Sequence, residues 1–578
     1  ISESLPPPHK PIAEFIEISF SVAYLSAAVR RAGHESSLVV LRHGGFKSQM
    51  AKALKEAQPD MVCYTAVATE YTFVEKIASW VASQRPEAYQ VAGGTHPTLC
   101  PEGCIEGPFK AICVSEGEAA LVDLADTLER GEDPAEIGGM WFQRANGEHE
   151  KNGAREFEQG LDELAIPDRL VWRDWIEDPR KHTILIARGC PFPCTYCSNR
   201  ALSKVAAGKF VRFRAVECVI AELEQICEEF PETEYCYFEV ETITSNRKWA
   251  FEFAEKLEEF NAKRETKLEF ATNFRTHPKI RFPDFFAALK KANFSYLRIG
   301  IESGSERIRR DVLKRYETNE DLLNTFEDAQ NNGLQVFAYN LIGIPGETAE
   351  DFMETVKINQ APVIARSYIG IFFPYPGTEL ATVCEEREIE IPKLEDCAER
   401  FRARLGLPEF PNRQVERYFR DFYYLVGGKQ AGFFERADSY VWQTLRGYLA
   451  WLATEGRGGQ QGYARVSVAR KLTVVRSFYR FLVQEGLFRS TPVPSGQSFK
   501  VKVAKTLPDF LGQREVARLM DAPDETTVHG IRDKAILETL YASGVRLAEI
   551  HGLNVADINF SRNELLVRGK GAKERLVL

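Results

Sequence analysis

The stretch HTILIARGCPFPCTYCSNR, residues 182–200, decides the fold of the largest part of this chain. It begins with a β-branched run at residues 183–186, which predicts a strand. A loop follows with three cysteines at spacings of four and three, Cys190, Cys194 and Cys197. Three thiolates this close can bind three irons of a [4Fe–4S] cluster and leave the fourth iron open to a ligand. A zinc site is the alternative, although zinc usually takes a fourth Cys or His nearby.

Beyond this loop, helical patterns alternate with strand patterns as far as residue 373. The strand patterns cover residues 235–239, 267–271, 296–301, 335–341 and 369–373. Such a βα repeat predicts a partial TIM-like barrel of six strands, a (βα)6 fold, whose active residues lie at the carboxyl ends of the strands. The residues at these ends are Glu241, Arg275, Glu302 and Ser303.

The first 130 residues also alternate short strands with helices, which predicts a doubly wound parallel sheet of the α/β class. Sheets of this kind bind ligands at the carboxyl ends of their strands. Three loops are expected there, at residues 65–70, 93–97 and 115–118. Their candidate binding residues are Thr65, Gly93, Gly94, Thr95, Glu116 and Gly117.

The composition is that of a globular protein with several domains. Its 578 residues correspond to roughly three to five domains, and 44% hydrophobic with 27% charged residues excludes disorder, collagen and a coiled coil as descriptions of the whole chain. No apolar run predicts a membrane span and no leader predicts export. Metal-binding cysteines indicate a reducing compartment, so we expect a cytoplasmic protein without membrane contact. The start at Ile1 and the stop at Leu578 suggest a fragment at both ends.

Charge separates the two ends of the chain. Residues 436–578 carry 22 basic and 14 acidic residues, a net charge of +8, whereas the first 435 residues carry 52 basic and 69 acidic residues, a net charge of −17. Within the basic end, residues 465–505 hold nine basic residues and one acid. We therefore expect two units with different partners, of which the basic unit binds nucleic acid.

A helical pattern at residues 466–484 supports this expectation. Its apolar stripe faces one way, and Arg470, Arg476 and Arg480 fall on the opposite side. This arrangement favours a helix that contacts DNA phosphates. A solvated basic surface is the alternative.

The cysteine loop and the βα repeat after it resemble the radical S-adenosylmethionine superfamily. The resemblance implies that Cys190, Cys194 and Cys197 bind the cluster, while Glu241 accepts the ammonium group of S-adenosylmethionine. The residues that it implies as S-adenosylmethionine contacts are Tyr196, Glu241, Arg275, Glu302 and Ser303. Structural carboxylates at strand ends are the alternative for Glu241 and Glu302.

The loop sequences YTAVATEYTF, VAGGTHPT and VSEGEAAL, at residues 64–73, 91–98 and 114–121, resemble the cobalamin-binding domain that precedes many radical S-adenosylmethionine enzymes. The resemblance implies that the candidate residues of these loops contact cobalamin. The Asp-x-His-x-x-Gly motif is absent, so we expect no histidine from it on cobalt. The first strand of this family would lie before Ile1. The alternative is that the glycines only turn the chain.

A cobalamin domain together with a radical barrel resembles the cobalamin-dependent subclass. This resemblance implies methyl transfer to an unreactive carbon or phosphorus of a small-molecule substrate, with ring formation and hydroxylation-type chemistry as alternatives. It also implies an electron donor such as flavodoxin or ferredoxin.

The basic end resembles a different family. The sequences SVARKLTVVRSFYRFLVQEG, YASGVRLAEIHGL and GKGAKERLVL, at residues 467–486, 541–553 and 569–578, are similar to Xer-type tyrosine recombinases of the phage integrase family. The resemblance implies that Arg546 grips the scissile phosphate and that Lys570 protonates the leaving hydroxyl. A helix-capping salt bridge and an exposed turn lysine are the alternatives. The later catalytic residues, including the nucleophilic tyrosine, would lie beyond the last residue, so we expect a catalytically incomplete recombinase.

The expected domain order is therefore as follows, with a join near residue 435. A cobalamin-binding domain covers residues 1–130, a linker 131–180, the barrel 181–380, a helical extension 381–433, all-α core-binding helices 436–505, and the start of an α+β recombinase catalytic domain 509–578. The alternative function is a DNA integration protein that acquired the radical segment through a gene fusion or a sequence-assembly join.

Overall fold

The computed structural model describes residues 18–41, 46–144, 146–176, 178–392, 400–427, 465–484, 511–569 and 573–577. The chain divides into two compact units, of which the first comprises residues 1–464 and 470–496 and the second residues 465–469 and 497–578. None of the helices in the described part of the chain has the length and apolar character needed to cross a membrane.

The first unit begins with a five-stranded sheet in the order β1-β2-β3-β4-β5. Its strands are β1 Met61–Thr65, β2 Tyr89–Gly93, β3 Ala111–Cys113, β4 Met140–Gln143 and β5 His149–Lys151. The first three strands are parallel, and β4 and β5 form an antiparallel hairpin on the β3 edge. The helices are α1 Phe20–Arg31, α2 Phe46–Ala57, α3 Tyr71–Gln84, α4 Thr95–Leu99, α5 Pro101–Ile105 and α6 Glu118–Glu129.

This hairpin lies in the segment 131–180, which the sequence predicts to be a linker. Met140 and Phe142 are buried against the sheet, and Asn146-Gly147 lies between the strands with Gly147 at a φ of +84°. An Asn-Gly pair between two strands is a strong hairpin signal, so the sequence does contain a signal for the β4–β5 hairpin. The short apolar run at residues 37–41 also predicts a strand, but in the structure these residues are neither strand nor helix.

The second sheet has six parallel strands in sequential order, β6-β9-β10-β11-β12-β13, which confirms the partial (βα)6 barrel. The strands are β6 Lys181–Leu185, β9 Tyr235–Glu239, β10 Glu269–Phe274, β11 Phe294–Glu302, β12 Gln335–Ile342 and β13 Ile364–Ile371. A small antiparallel pair, β7 Ala187–Arg188 and β8 Arg212–Phe213, lies after β6. The helices are α7 Ser198–Leu202, α8 Val216–Glu229, α9 Arg247–Ala262, α10 Pro283–Lys291, α11 Asn319–Asn331, α12 Ala349–Asn359, α13 Glu379–Glu386 and α14 Asn412–Val426.

The strands of the barrel present alternate side chains to two environments, as the pleat of a strand requires. One face packs against the helices through an apolar core that includes Phe238, Phe270, Leu297 and Val336. The opposite face carries a separate aromatic cluster of Tyr235, Tyr237, Ala271, Tyr296 and Phe337. The barrel interior is therefore lined by aromatic rings.

The region of the predicted recombinase contains four described helices and a small sheet. They are α15 Arg465–Gln484, α16 Gln513–Met520, α17 Val528–Ser543 and α18 Leu547–His551, with strands β14 Ile558–Asn559, β15 Glu564–Gly569 and β16 Lys573–Val577. The three strands form one antiparallel sheet, in which β15 and β16 pair as a hairpin. The turn of that hairpin, with Lys570, lies outside the described residues, as do the predicted join near residue 435 and most of 436–505.

Candidate active site

The three cysteines lie on the loop that connects β7 to α7. Gly189 starts this loop at a φ of +84°, and a Cβ there would fall on the carbonyl oxygen of Phe210, so only glycine fits. Cys190 and Cys197 are half-buried and Cys194 is 5% exposed, and all three are free thiols. The turn at Gly189 thus begins the loop that carries the three free cysteines after the first barrel strand.

Burial keeps two of these thiols protonated when no metal is bound. It raises the pKa of Cys190 and raises that of Cys197 to about 12. The carboxylate of Glu241 acts in the same direction on both, so its charge reaches the cysteine loop. Because metal ligation requires thiolates, a bound metal would displace these protons.

Arg275 lies against the cysteine loop. Its Nη1 donates a hydrogen bond to Cys194 Sγ at 3.0 Å, and its guanidinium lies 3.8 Å from the centre of the Phe192 ring. On the other side its Nη2 is 3.6 Å from Glu317 Oε2. The sequence predicts Arg275 as a contact of S-adenosylmethionine, whereas the structure places it against a thiol that is a candidate cluster ligand. A thiolate accepts such a bond well, so the donor fits a cluster in the loop.

A second arginine, Arg315, connects the remaining barrel residues. Its Nη1 donates to Tyr196 Oη at 3.2 Å and to Glu302 Oε1 at 3.3 Å, and its Nε donates to Glu317 Oε1 at 2.6 Å. Burial raises the pKa of Glu302, although the positive charge of Arg315 acts to lower it. Tyr196, Arg315, Glu302, Glu317 and Arg275 therefore form one buried network that ends on Cys194.

Sequence reasoning missed Arg315 and Glu317. They follow a short π-helical turn, Ile308–Val312, rather than a strand end. Arg315 is 119 residues away from Tyr196 along the chain, and no local motif connects the two.

Ser303 is buried, and the contacts of its side chain are local. Its Oγ accepts the N–H of Ser305 at 3.2 Å, and its carbonyl accepts from Arg309 Nη1 at 2.5 Å. The next residue, Gly304, donates its N–H to Thr355 Oγ1 on α12 at 2.7 Å. The turn after β11 is thus fixed against α12, with Glu302 at a φ of +64°.

A cavity of about 260 Å³ lies at the carboxyl ends of β1, β2 and β3. Five of the six predicted cobalamin residues line it: Thr65, Gly93, Gly94, Glu116 and Gly117. Thr95 does not line it and begins α4. The other lining residues are mainly apolar and include Tyr24, Leu25, Val91, Leu121 and Met140. No histidine is among the described residues that line this cavity.

Glu116 is one of two carboxylates in the cavity lining, and arginine side chains already neutralise it. Arg212 donates to its two carboxylate oxygens at 2.8 and 2.9 Å, and Arg188 donates to it at 3.0 Å. Burial acts to raise the pKa of Glu116, but these two guanidinium groups outweigh it, so the pKa is lowered. Arg188 directly precedes the cysteine loop and also binds Glu118 at 2.6 Å. The ion pairs therefore connect the cavity to the cysteine loop.

The DNA-binding candidates differ in exposure. Arg470 and Arg480 on α15 are exposed, whereas Arg476 is half-buried. The exposed surface of α15 is not purely polar, because it also presents Val474, Phe478 and Phe481. Arg546 immediately precedes α18, and its Nη1 donates to Glu549 Oε1 at 3.1 Å. Its side chain is 75% exposed, so the helix-capping salt bridge is present and leaves the guanidinium accessible.

Three families match successive parts of the chain. Residues 13–125 match the B12 binding domain, residues 184–358 the Radical SAM superfamily and residues 509–578 the Phage integrase family. Over 388 residues the chain is 27% identical to an uncharacterized methyltransferase, PH0819, of Pyrococcus horikoshii, covering 65% of this chain and 81% of the relative.

Two further similarities cover different parts of the chain. Over 133 residues, 23% of this chain, it is 44% identical to tyrosine recombinase XerC of Myxococcus xanthus and spans only 41% of that relative's length. The radical S-adenosylmethionine methyltransferase TsrM of Kitasatospora setae, solved with cobalamin and a [4Fe–4S] cluster, shares the fold with a TM-score of 0.53 at 18% identity, covering 66% of this chain and 74% of TsrM. Successive parts of the chain are therefore similar to the B12 binding domain, to the Radical SAM superfamily and to the Phage integrase family.

Proposed function

We propose that this enzyme transfers a methyl group to a small-molecule substrate, with a [4Fe–4S] cluster on Cys190, Cys194 and Cys197. The observation that carries the proposal is the network from Cys194 through Arg275 and Glu317 to the strand end of β11. It joins one of the three free thiols, that of Cys194, to the carboxyl ends of the barrel strands, where active residues of such barrels lie. Methyl transfer is supported by the names of PH0819 and TsrM, both methyltransferases.

When bound, the cluster and cobalamin would supply one electron for cleavage of the sulfonium and a carrier for the methyl group. The protein's own residues bind and orient. Arg275 stabilises the Cys194 thiolate with a hydrogen bond, and Glu241 is the candidate acceptor for the ammonium group of S-adenosylmethionine. Tyr196 and Glu302, both held by Arg315, are the candidates for its adenine and ribose.

The lining of the cavity at the ends of β1 to β3 suits contact with part of the surface of cobalamin. Gly94 has a φ of +98°, and a Cβ there would lie 2.8 Å from the carbonyl oxygen of Ala66. Glycine therefore suits this position, and the backbone at this edge of the cavity carries no side chain. The mainly apolar walls suit the flat rings of the cofactor. Since no histidine is among the described lining residues, we propose that no protein imidazole binds cobalt.

The partners follow from the two halves of the molecule. We propose a one-electron donor such as flavodoxin or ferredoxin for the barrel, and a reducing, cytoplasmic location in which the described cysteines stay free. For the integrase segment we propose duplex DNA as partner, supported by the exposed Arg470 and Arg480 and by the accessible Arg546.

The cluster assignment is tested on the full chain, reconstituted anaerobically with iron and sulfide. We expect about four irons per chain, absorption near roughly 400 nm and reductive cleavage of S-adenosylmethionine to 5′-deoxyadenosine. Replacing Cys190, Cys194 and Cys197 together by Ala should abolish all three. The matched control replaces three other half-buried free cysteines, Cys100, Cys218 and Cys227, by Ala and should keep them. A triple variant that retains its iron and colour contradicts the assignment.

A further inference from the structure

Arg298, in the middle of β11, has no partner for its charge. Its guanidinium lies 3.9 Å from the centre of the Tyr237 ring in the barrel interior. Among the residues that the structure describes, no carboxylate lies within ion-pair distance of Arg298, and its buried Nε has no hydrogen-bond acceptor. A guanidinium removed from water without a partner destabilises the protein in which it sits.

Several arginines of the barrel that are more buried than the half-buried Arg298 have acceptors, although the Nε of Arg169 and of Arg275 also lacks one. Arg169 donates to Glu222 at 2.6 Å, and Arg315 pairs with both Glu302 and Glu317. Arg309 donates to the Glu317 carbonyl at 3.1 Å and to Asn319 Oδ1 at 2.7 Å. Arg298 thus differs from Arg169 and Arg315 in having no carboxylate within ion-pair distance among the described residues, and a bound ligand could supply one.

The neighbouring carboxyl group does not fully neutralise Arg298. Strand pairing places Asn273 beside Arg298, and Glu239 is the inward residue at the end of β9. Glu239 Oε1 accepts from Asn273 Nδ2 at 3.0 Å, and Asn273 Oδ1 accepts from Tyr237 Oη at 2.5 Å. Burial, and then the charge of Glu241, raise the pKa of Glu239 to about 7. The positive charge of Arg298 acts to lower this pKa, so near neutral pH Glu239 is partly ionised and compensates the charge of Arg298 only in part.

Arg298 lies nearer to the amino ends of the barrel strands than the candidate cofactor residues do. On β10, Asn273 pairs with Arg298, and Arg275 comes two residues later at the carboxyl end. Two residues of a strand span about 6.6 Å. A ligand group on Arg298 would therefore lie one layer of side chains below the cysteine loop, and the rest of the ligand would extend towards it.

The walls around this position are aromatic. Tyr296 and Phe337 stack with ring centres 4.0 Å apart and an interplanar angle of 15°, and Tyr339 stacks on Tyr368 at 4.9 Å and 26°. Tyr339 and Tyr368 are only half-buried, so they retain surface for contact. Flat unsaturated molecules pack well against such rings.

We propose that the substrate is a planar unsaturated carboxylic acid whose carboxylate binds Arg298 in the barrel interior. This inference rests on the proposed function, since it names the substrate class of the same barrel. The planar guanidinium can hold a carboxylate through two parallel hydrogen bonds. A single positive charge that is only partly compensated matches a carboxylate better than a phosphate monoester, which carries up to two negative charges.

The first test measures binding to the full, cluster-loaded chain by saturation-transfer NMR, with 2-naphthoate, 2-naphthamide and 2-naphthyl phosphate as probes. We expect the acid to bind at least about tenfold more tightly than the amide, since a hydrogen-bonded charge pair contributes about 1.5–3 kcal/mol, and more tightly than the phosphate. Arg298→Gln should remove the preference, and Arg298→Lys should keep part of it. The matched control, Arg247→Gln, lies on the outer helix α9, where Arg247 stacks on Phe251, and should bind like the wild type.

Equal binding of acid and amide, a preference that survives Arg298→Gln, or no binding of 2-naphthoate at millimolar concentration would overturn the proposal. Tighter binding of the phosphate would replace the carboxylate by a phosphate as the ligand group. The iron content of each sample separates these outcomes from a failure of the proposed function, because that failure would show as missing iron.

A second measurement does not depend on the probe. If Arg298 binds a ligand and does not stabilise the fold, its replacement by Met should leave the thermal midpoint of the ligand-free chain unchanged or raise it. Arg169→Met is the matched control and should lower the midpoint, because it removes a partner of the buried Glu222. A midpoint that falls as far for Arg298→Met as for Arg169→Met would show a structural role and overturn the proposal.

Discussion

Arg275 shows how far a single residue can be understood from sequence. The βα pattern places it correctly at the carboxyl end of a barrel strand, and it follows β10 directly. Its partner could not be predicted, because Cys194 is 81 residues away along the chain and the contact depends on how the barrel closes. The three cysteines could be identified from sequence, because their spacings of four and three residues are a local signal of a metal site. Arg298 gave no sequence signal, since a charged residue in a strand pattern normally indicates a solvent-facing position.

The contact between Arg275 and Cys194 predicts an effect on the reduction potential of the cluster. A hydrogen bond to a ligand sulfur stabilises the more negative, reduced state. We expect Arg275→Met to shift the potential downward by on the order of 40 mV, which corresponds to about 1 kcal/mol for one electron. Arg275→Lys keeps the positive charge and should shift it less. The measurement is a redox titration of the full chain, followed by electron paramagnetic resonance.

The matched control for this titration is Arg281→Met, since Arg281 is bound to Glu327 and Asp328 near α10 rather than to the cysteine loop. Its potential should equal that of the wild type. An unchanged or higher potential in Arg275→Met, with iron content intact, would refute the role of the hydrogen bond.

At the scale of elements, the sequence predicts strand existence better than strand pairing. Alternating or β-branched runs located all six barrel strands, although β10 begins at Glu269 rather than at residue 267. The β4–β5 hairpin was assigned to a linker because its strands are short and polar on one face. Only its pairing with β3 makes it part of the sheet. The contact of the β11 turn with α12 likewise involves residues about 50 apart in sequence.

That contact predicts a strong effect of Gly304→Ala. A Cβ at Gly304 would fall on the backbone of Glu354 and Thr355, so either the turn after β11 or α12 must move. We expect the free energy of unfolding to fall by about 3 kcal/mol, the upper part of the range for overpacking. Gly103→Ala is the control, because a Cβ there has no atom within 4 Å and Gly103 lies in helix α5. It should leave stability unchanged or raise it by up to about 1 kcal/mol. Denaturant unfolding of both variants checks the difference, and equal stability would contradict the packing argument.

At the scale of the whole molecule, the charge distribution and the sequence motifs divide the chain into the same two parts, for which we expect different partners. The acidic first 435 residues contain the matches to the B12 binding domain and the Radical SAM superfamily, and the match to the Phage integrase family falls in the basic remainder. These assignments were accessible from sequence because each family has compact local motifs. The substrate was not accessible, because it depends on which side chains meet inside the barrel.

The charge separation predicts that the full chain binds duplex DNA through its basic end despite a net charge of −9. Cations that neutralise phosphates release counterions, so the logarithm of the affinity should fall with the logarithm of salt concentration by about 0.9 per phosphate contacted. Replacing the exposed Arg470 and Arg480 by Gln should weaken binding and reduce this slope by up to about 1.8. Fluorescence anisotropy with a labelled duplex across a salt series measures both. The control replaces Arg130 and Arg310, exposed arginines within the first 435 residues, by Gln. It changes the net charge equally, so an equal loss of affinity and slope in the control would mean that binding follows overall charge and not the surface of α15.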